Sequence, residues 1–111
     1  MLGVYTMDLQ ARRLKLHEEL CEILGSRNVY FQPPESVRLI YPCIIYSRST
    51  GDVQHADNRP YIINLRYEIT LISKDPDSEY IMKIQEHFPT CRLDRHFTSD
   101  NLNHYSFDLY Y

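Results

Sequence analysis

YIINLRYEITLISK, residues 61–74, alternates apolar and polar side chains with a period of two over most of its length. Tyr61, Ile63, Leu65, Tyr67, Ile69 and Leu71 fall on one face, while Asn64, Arg66, Glu68, Thr70 and Lys74 fall mostly on the other, the pattern of a strand with one buried face. A parallel strand covered on both sides reads as a continuous apolar run, so Asn64, Arg66 and Glu68 mark this one as antiparallel. At roughly 3.3 Å per residue it spans a small domain, and every other element is expected to pair with it or pack on it.

On its C-terminal side, Asp75-Pro76-Asp77-Ser78-Glu79 carries the signals of a helix start: a capping aspartate, a proline suited to the first helical position and carboxylates near the positive helix end. A short helix is expected to about His87, with Tyr80, Ile81, Ile84 and Phe88 at helical spacing and Pro89 as its stop. Residues 91–98 and 102–111 then read as a last pair of strands joined through Ser99, Asp100 and Asn101, with Tyr105, Phe107, Leu109 and Tyr111 alternating against His104, Ser106 and Asp108.

On its N-terminal side lies the polar stretch STGDVQHADNRP, residues 49–60, longer than the two to five residues of an ordinary hairpin loop and therefore expected to be a functional loop. Before it, residues 37–48 read as the first long strand, surest over 43–46, with Pro42 confining the start to an edge or a bulge. Residues 25–36 hold Asn28, Pro33 and Pro34 and form a crossover in which Val29, Tyr30 and Phe31 bury against a helix or make a short edge strand. From Thr6 or Asp8 to Leu24 the apolar residues Leu9, Leu16, Leu20, Ile23 and Leu24 make an amphipathic helix, closed by Gly25, with His17 at the border of its apolar stripe. The expected fold is one α+β domain, a two-layer sandwich of order α-β-β-α-β-β, with a mainly antiparallel sheet and both helices on one face.

A chain of 111 residues suffices for one core. Its net charge of −3 and scattered Lys and Arg argue against sequence-specific or non-specific nucleic-acid binding. Cys21, Cys43 and Cys91 include no C-x-x-C pair and cannot close a full disulfide set, so reduced thiols and a cytosolic folding compartment are expected. The first five residues lack the features of a signal peptide, and no run approaches the roughly 20 apolar residues of a membrane span, so no membrane partner is expected. Ten tyrosines in so small a domain cannot all be buried, and tyrosine suits both strands and interfaces.

Chemistry is sparse. Asp94, His96, Asp100 and His104 are the residue types of a zinc or manganese site, but their spacing matches no closed ligand pattern, and a polar hairpin face accounts for them. Cys91 with His87 or His96 is a pairing by proximity in sequence alone. With Gly3, Gly25 and Gly51 as the only glycines, no nucleophile elbow, phosphate loop or dinucleotide fingerprint is possible. No enzymatic activity, metal or cofactor is expected.

The strings NVYFQPPESVRLIYPCIIY (28–46), ADNRPY (56–61), ITLISKDPDSE (69–79) and CRLDRHFTSDNLNHYSFDLYY (91–111) resemble the tail-completion or tail-terminator proteins of long-tailed phages and prophages of Gram-positive bacteria, some of whose relatives are labelled head-tail joining or minor capsid proteins. The likeness runs over nearly the whole chain. It implies a structural virion protein, made in the host cytoplasm. It further implies a ring, usually hexameric, at the head-proximal end of the tail tube, with other copies of itself, the tail-tube protein and a head-completion or connector protein as partners. Closed rings join two different patches head to tail, and the residues expected at such contacts are Arg48, Asp52, His55, Asp57, Asn58, Arg59, Arg95 and Asp100. Two other readings stand beside it: a small metal-dependent hydrolase on the Asp94–His104 cluster, and a monomeric or dimeric adaptor binding through a sheet edge.

Overall fold

A computed structural model describes the backbone of residues 9–48, 52–56 and 59–111 and the side chains of 10–48 and 65–111. The fold is α+β. Helix α1 (Leu9–Leu24) leads into strands β1 (Val29–Phe31), β2 (Cys43–Arg48), β3 (Asp52–Ala56), β4 (Arg59–Asn64) and β5 (Arg66–Ser73), then helix α2 (Tyr80–His87) and strands β6 (Cys91–Ser99) and β7 (Leu102–Tyr110). The five-stranded sheet has the order β1-β2-β5-β7-β6, antiparallel except for the parallel β1–β2 pair, while β3 and β4 form a separate antiparallel ribbon.

α1 turns Leu16, Leu20 and Leu24, four residues apart, into the core with Cys21. Gly25, at φ +73°, ends it by donating its N–H to the Cys21 carbonyl at 2.9 Å, a backbone geometry that costs glycine nothing. The proposed caps Thr6 and Asp8 lie outside the described residues. β5 sits in the middle of the sheet, and the predicted alternation holds from Leu65 to Leu71: Leu65, Tyr67, Ile69 and Leu71 are buried, Arg66 and Glu68 exposed, while the side chains of Tyr61 and Ile63 lie outside the described residues. Facing residues Ile44 and Tyr46 of β2 and Tyr105, Phe107 and Leu109 of β7 join the same cluster, to which α1 adds its leucines and α2 adds Ile84, with Phe88 just beyond. No helix among the described residues is long and apolar enough to cross a membrane.

Four expectations need correction. The single strand over 61–74 is two strands, parted at Leu65. Leu65 still exchanges both backbone hydrogen bonds with Tyr111, at 3.3 and 2.9 Å, but β2 stops at Arg48 opposite Tyr67 and β7 stops at Tyr110 opposite Arg66. Upstream of Leu65 the sheet offers no partner among the described residues, and the chain pairs with β3 instead. The long loop over 49–60 is accordingly half strand: Ala56 pairs with Arg59 and Asp52 with Asn64, with a register shift between Asp52 and Val53. Helix α2 starts at Tyr80, not beside Asp75, because the Asp75 carboxylate accepts the Asp77 N–H at 2.9 Å in a local turn, and the buried Ser78 hydroxyl accepts the Tyr80 N–H at 3.3 Å. The first long strand is likewise shorter than 37–48, beginning just after the cis peptide Tyr41–Pro42.

Candidate interaction surface

β6 and β7 form a hairpin closed by Asp100 and Asn101, both left-handed (φ +54° and +62°), a two-residue turn whose twist matches the strands. β7 is covered on both edges. β6 is the sheet edge, and from Arg92 to Ser99 every residue is exposed, Leu93 at 39% and Phe97 at 42% among them. Ring contacts hold the hairpin together on both faces: His96 stacks on Tyr105 (centroids 4.2 Å apart) and Phe97 on His104 (4.7 Å), with the Arg95 guanidinium 5.4 Å from the Phe97 ring. The His96 imidazole donates through Nε2 to Asn103 Oδ1 at 3.2 Å, and the Asn103 amide reaches the Ser73 carbonyl at 3.4 Å, tying the hairpin back to β5.

This geometry separates the residues of the hydrolase reading. His96 lies opposite Tyr105 and His104 opposite Phe97, so the two imidazoles occupy opposite faces of the hairpin, while Asp100 is spent on the turn. Among the described residues no group of three or more His, Cys, Asp or Glu side chains comes together. Burial, and then the Asp108 carboxylate, push the Cys91 thiol up to about 11, and burial alone pushes Cys43 to about 11, so neither supplies a thiolate near neutral pH.

The expected contact residues divide. Arg95 stands on the exposed side of β6 and Asp100 in its turn. Arg48 ends β2 at the point where the ribbon leaves the sheet, its backbone N–H donating to Gln32 Oε1 at 3.2 Å. Its Nη1 is buried without a hydrogen-bond partner among the described residues, as is the hydroxyl of Tyr67 directly across the ladder. Asp52 and His55 lie in β3 and Arg59 in β4, placing them on one ribbon; Asp57 and Asn58 lie outside the described residues.

Several polar links have no signal in local sequence. Tyr111 donates its hydroxyl to Glu19, and His87 Nε2 meets the other oxygen of the same carboxylate at 3.0 Å, clamping α1, α2 and the end of the sheet together. Burial pushes Glu19 upward, but the hydrogen bonds from Tyr111 and His87 outweigh it and hold the carboxyl below its ordinary value; burial and the Glu19 contact raise Tyr111 well above the usual phenol range. His17, predicted at the border of the helix, shares a 2.8 Å hydrogen bond with the buried Tyr46 hydroxyl, and burial first, then Arg27, lowers its pKa. Compared with protein-family models and with curated proteins, the chain matches none.

Proposed function

We propose that the chain is a structural virion protein that forms a ring at the head-proximal end of a phage tail tube, ending the tail and presenting a surface to head-completion proteins. The observation that carries this reading is the β3–β4 ribbon. It departs from the five-stranded sheet at Arg48, returns at Leu65 and, among the described residues, pairs only with itself, so it contributes no strand to the sheet that holds the core. A ribbon of this kind suits contact with a neighbour, and Asp52, His55 and Arg59 give it mixed charge for setting register. The resemblance over residues 28–46, 56–61, 69–79 and 91–111 supplies the station in the virion.

Electron microscopy of the purified protein, alone and with tail-tube protein, tests it. Replacing residues 49–64 by Asn-Gly leaves a four-residue connection, Asn-Gly-Leu65-Arg66, between the paired Arg48 and Tyr67, a hairpin length that the sheet accommodates. The expected outcome is a folded protein with near-native circular dichroism that neither forms rings nor completes tails. Full-length infectious particles made with the shortened protein would refute the reading.

A further inference from the structure

β6 presents its free backbone groups in an order that matches itself. In an antiparallel ladder, successive residues direct their N–H and C=O groups alternately to one neighbour and the other. Leu65 and Tyr111 exchange both backbone hydrogen bonds, so the odd-numbered residues of β7 bond toward β5 and the even-numbered ones toward β6. Opposite the even-numbered residues stand Arg92, Arg95, Phe97 and Ser99; opposite the odd-numbered ones stand Cys91, Leu93, His96 and Thr98. The latter four therefore direct their backbone groups away from the sheet, where β6 has no neighbour among the described residues. One of these groups is taken, the Cys91 N–H donating to the Phe88 carbonyl at 3.0 Å.

A regular strand would free every second residue. The register shift between Leu93 and Arg95 inserts Asp94 as an extra residue, so the outward positions run 91, 93, 96, 98. That set is symmetric about the midpoint between Asp94 and Arg95: reversing the strand exchanges 91 with 98 and 93 with 96.

We propose that β6 pairs antiparallel with β6 of a second copy of this chain, across a two-fold axis passing between Asp94 and Arg95, joining the two sheets into one. Every outward position then meets an outward position of the other copy, and no other register of the strand on itself matches all four. The side chains agree independently. Asp94 stands opposite Arg95 of the second copy, and the axis repeats that contact; Leu93 stands opposite His96, and Arg92 opposite the exposed ring of Phe97. Faces are kept as well. Cys91, Leu93, His96 and Thr98 share the face of the core residues Phe107 and Leu109, while Arg92, Arg95 and Phe97 share the opposite one. A bulge ordinarily protects an edge from chance pairing with flat strands; here it selects a partner carrying the same bulge. A two-fold contact is isologous, whereas a ring is closed by head-to-tail contacts, so the pairing describes the free subunit and does not depend on the ring reading.

Sedimentation velocity over a concentration series tests it on the full chain. Wild type should dimerise. Asp94→Arg and Arg95→Asp should each weaken the dimer by about tenfold or more, because each places like charges opposite one another twice. The double variant Asp94→Arg with Arg95→Asp should restore it, since the exchanged charges again face their opposites across the axis. Thr98→Pro removes an N–H that points away from β7, so the hairpin should keep its circular dichroism while the dimer weakens. A protein monomeric at every concentration, a dimer indifferent to the single reversals, or a double variant no stronger than the singles would each overturn the proposal. Ring formation is read separately, by microscopy with tail-tube protein, so the two readings fail independently.

Discussion

β5 and β6 flank the same strand, β7, yet the chain treats them oppositely. β5 buries Tyr67, Ile69 and Leu71 on one face and is paired on both edges; β6 is paired on one edge and leaves eight of its nine residues exposed. Backbone pairing with β7 is the same kind of ladder in each case, so hydrogen bonding does not distinguish them. The difference is what stands over the face. The residues opposite Ile69 and Leu71 on β7 are Phe107 and Tyr105, within the cluster fed by α1 and α2, whereas the hairpin end of β6 holds itself with ring stacks to its own partner strand. One neighbour of β7 makes the fold, and the other is available to something outside it.

The largest expected effect breaks this comparison if it fails. Ile69→Ala should cost about 2–5 kcal/mol, the range for truncating a fully buried branched side chain, while Leu93→Ala on β6 should cost under about 1 kcal/mol. Equal shifts of the urea midpoint would mean that β6 is as buried as β5. An intermediate effect tests what joins β6 to β7. Asp100→Val puts a β-branched residue at φ +54° and should destabilise by about 1–2 kcal/mol, whereas Asn101→Gly, at φ +62°, should be neutral or slightly stabilising. Thermal unfolding of the two variants side by side is the check.

The smallest effect sharpens the buried side. Glu19 has a folded pKa below its unfolded value, so its contribution is present above the unfolded value and is lost as pH falls through the folded one. Acid titration of stability should therefore show a shallower decline for Glu19→Gln than for wild type on the acidic side of the ordinary glutamate range. Tyr111→Phe, which removes one of the two hydrogen bonds to that carboxylate, should give an intermediate slope.

Much of the buried half was legible in sequence because its signal is local. The alternation from Leu65 to Leu71, the glycine after α1 and the bounds of the β6–β7 hairpin follow from periodicity and turn chemistry within a few residues. The break at Leu65 was not legible, since it depends on where β2 and β7 end, and the alternation of Ile63, Leu65 and Tyr67 with Asn64 and Arg66 runs straight through it. Asp75 misled because a helix cap and an aspartate turn use the same acceptor on the same kind of neighbour. Of the surface, only composition was legible: Asp94 and Arg95 read as polar residues, and neither the bulge nor its symmetry leaves a trace in CRLDRHFTS. The Glu19–Tyr111 contact joins residues 92 apart, beyond any local pattern.

The strand order also governs when the molecule can close. β7 follows β5 and β6 in the chain yet lies between them, so until it is synthesised the central strand keeps one edge open and β6 lacks the strand it pairs with among the described residues. At about 5–20 residues per second, a ribosome holds that incomplete intermediate for seconds, with the apolar face of β5 and a bare strand edge on offer to other nascent chains. Productive folding thus includes insertion of β7 into a slot between two strands made before it, slow by the standard of local contacts. The yield of soluble protein should depend on chaperone supply more steeply than the stability of the finished fold suggests.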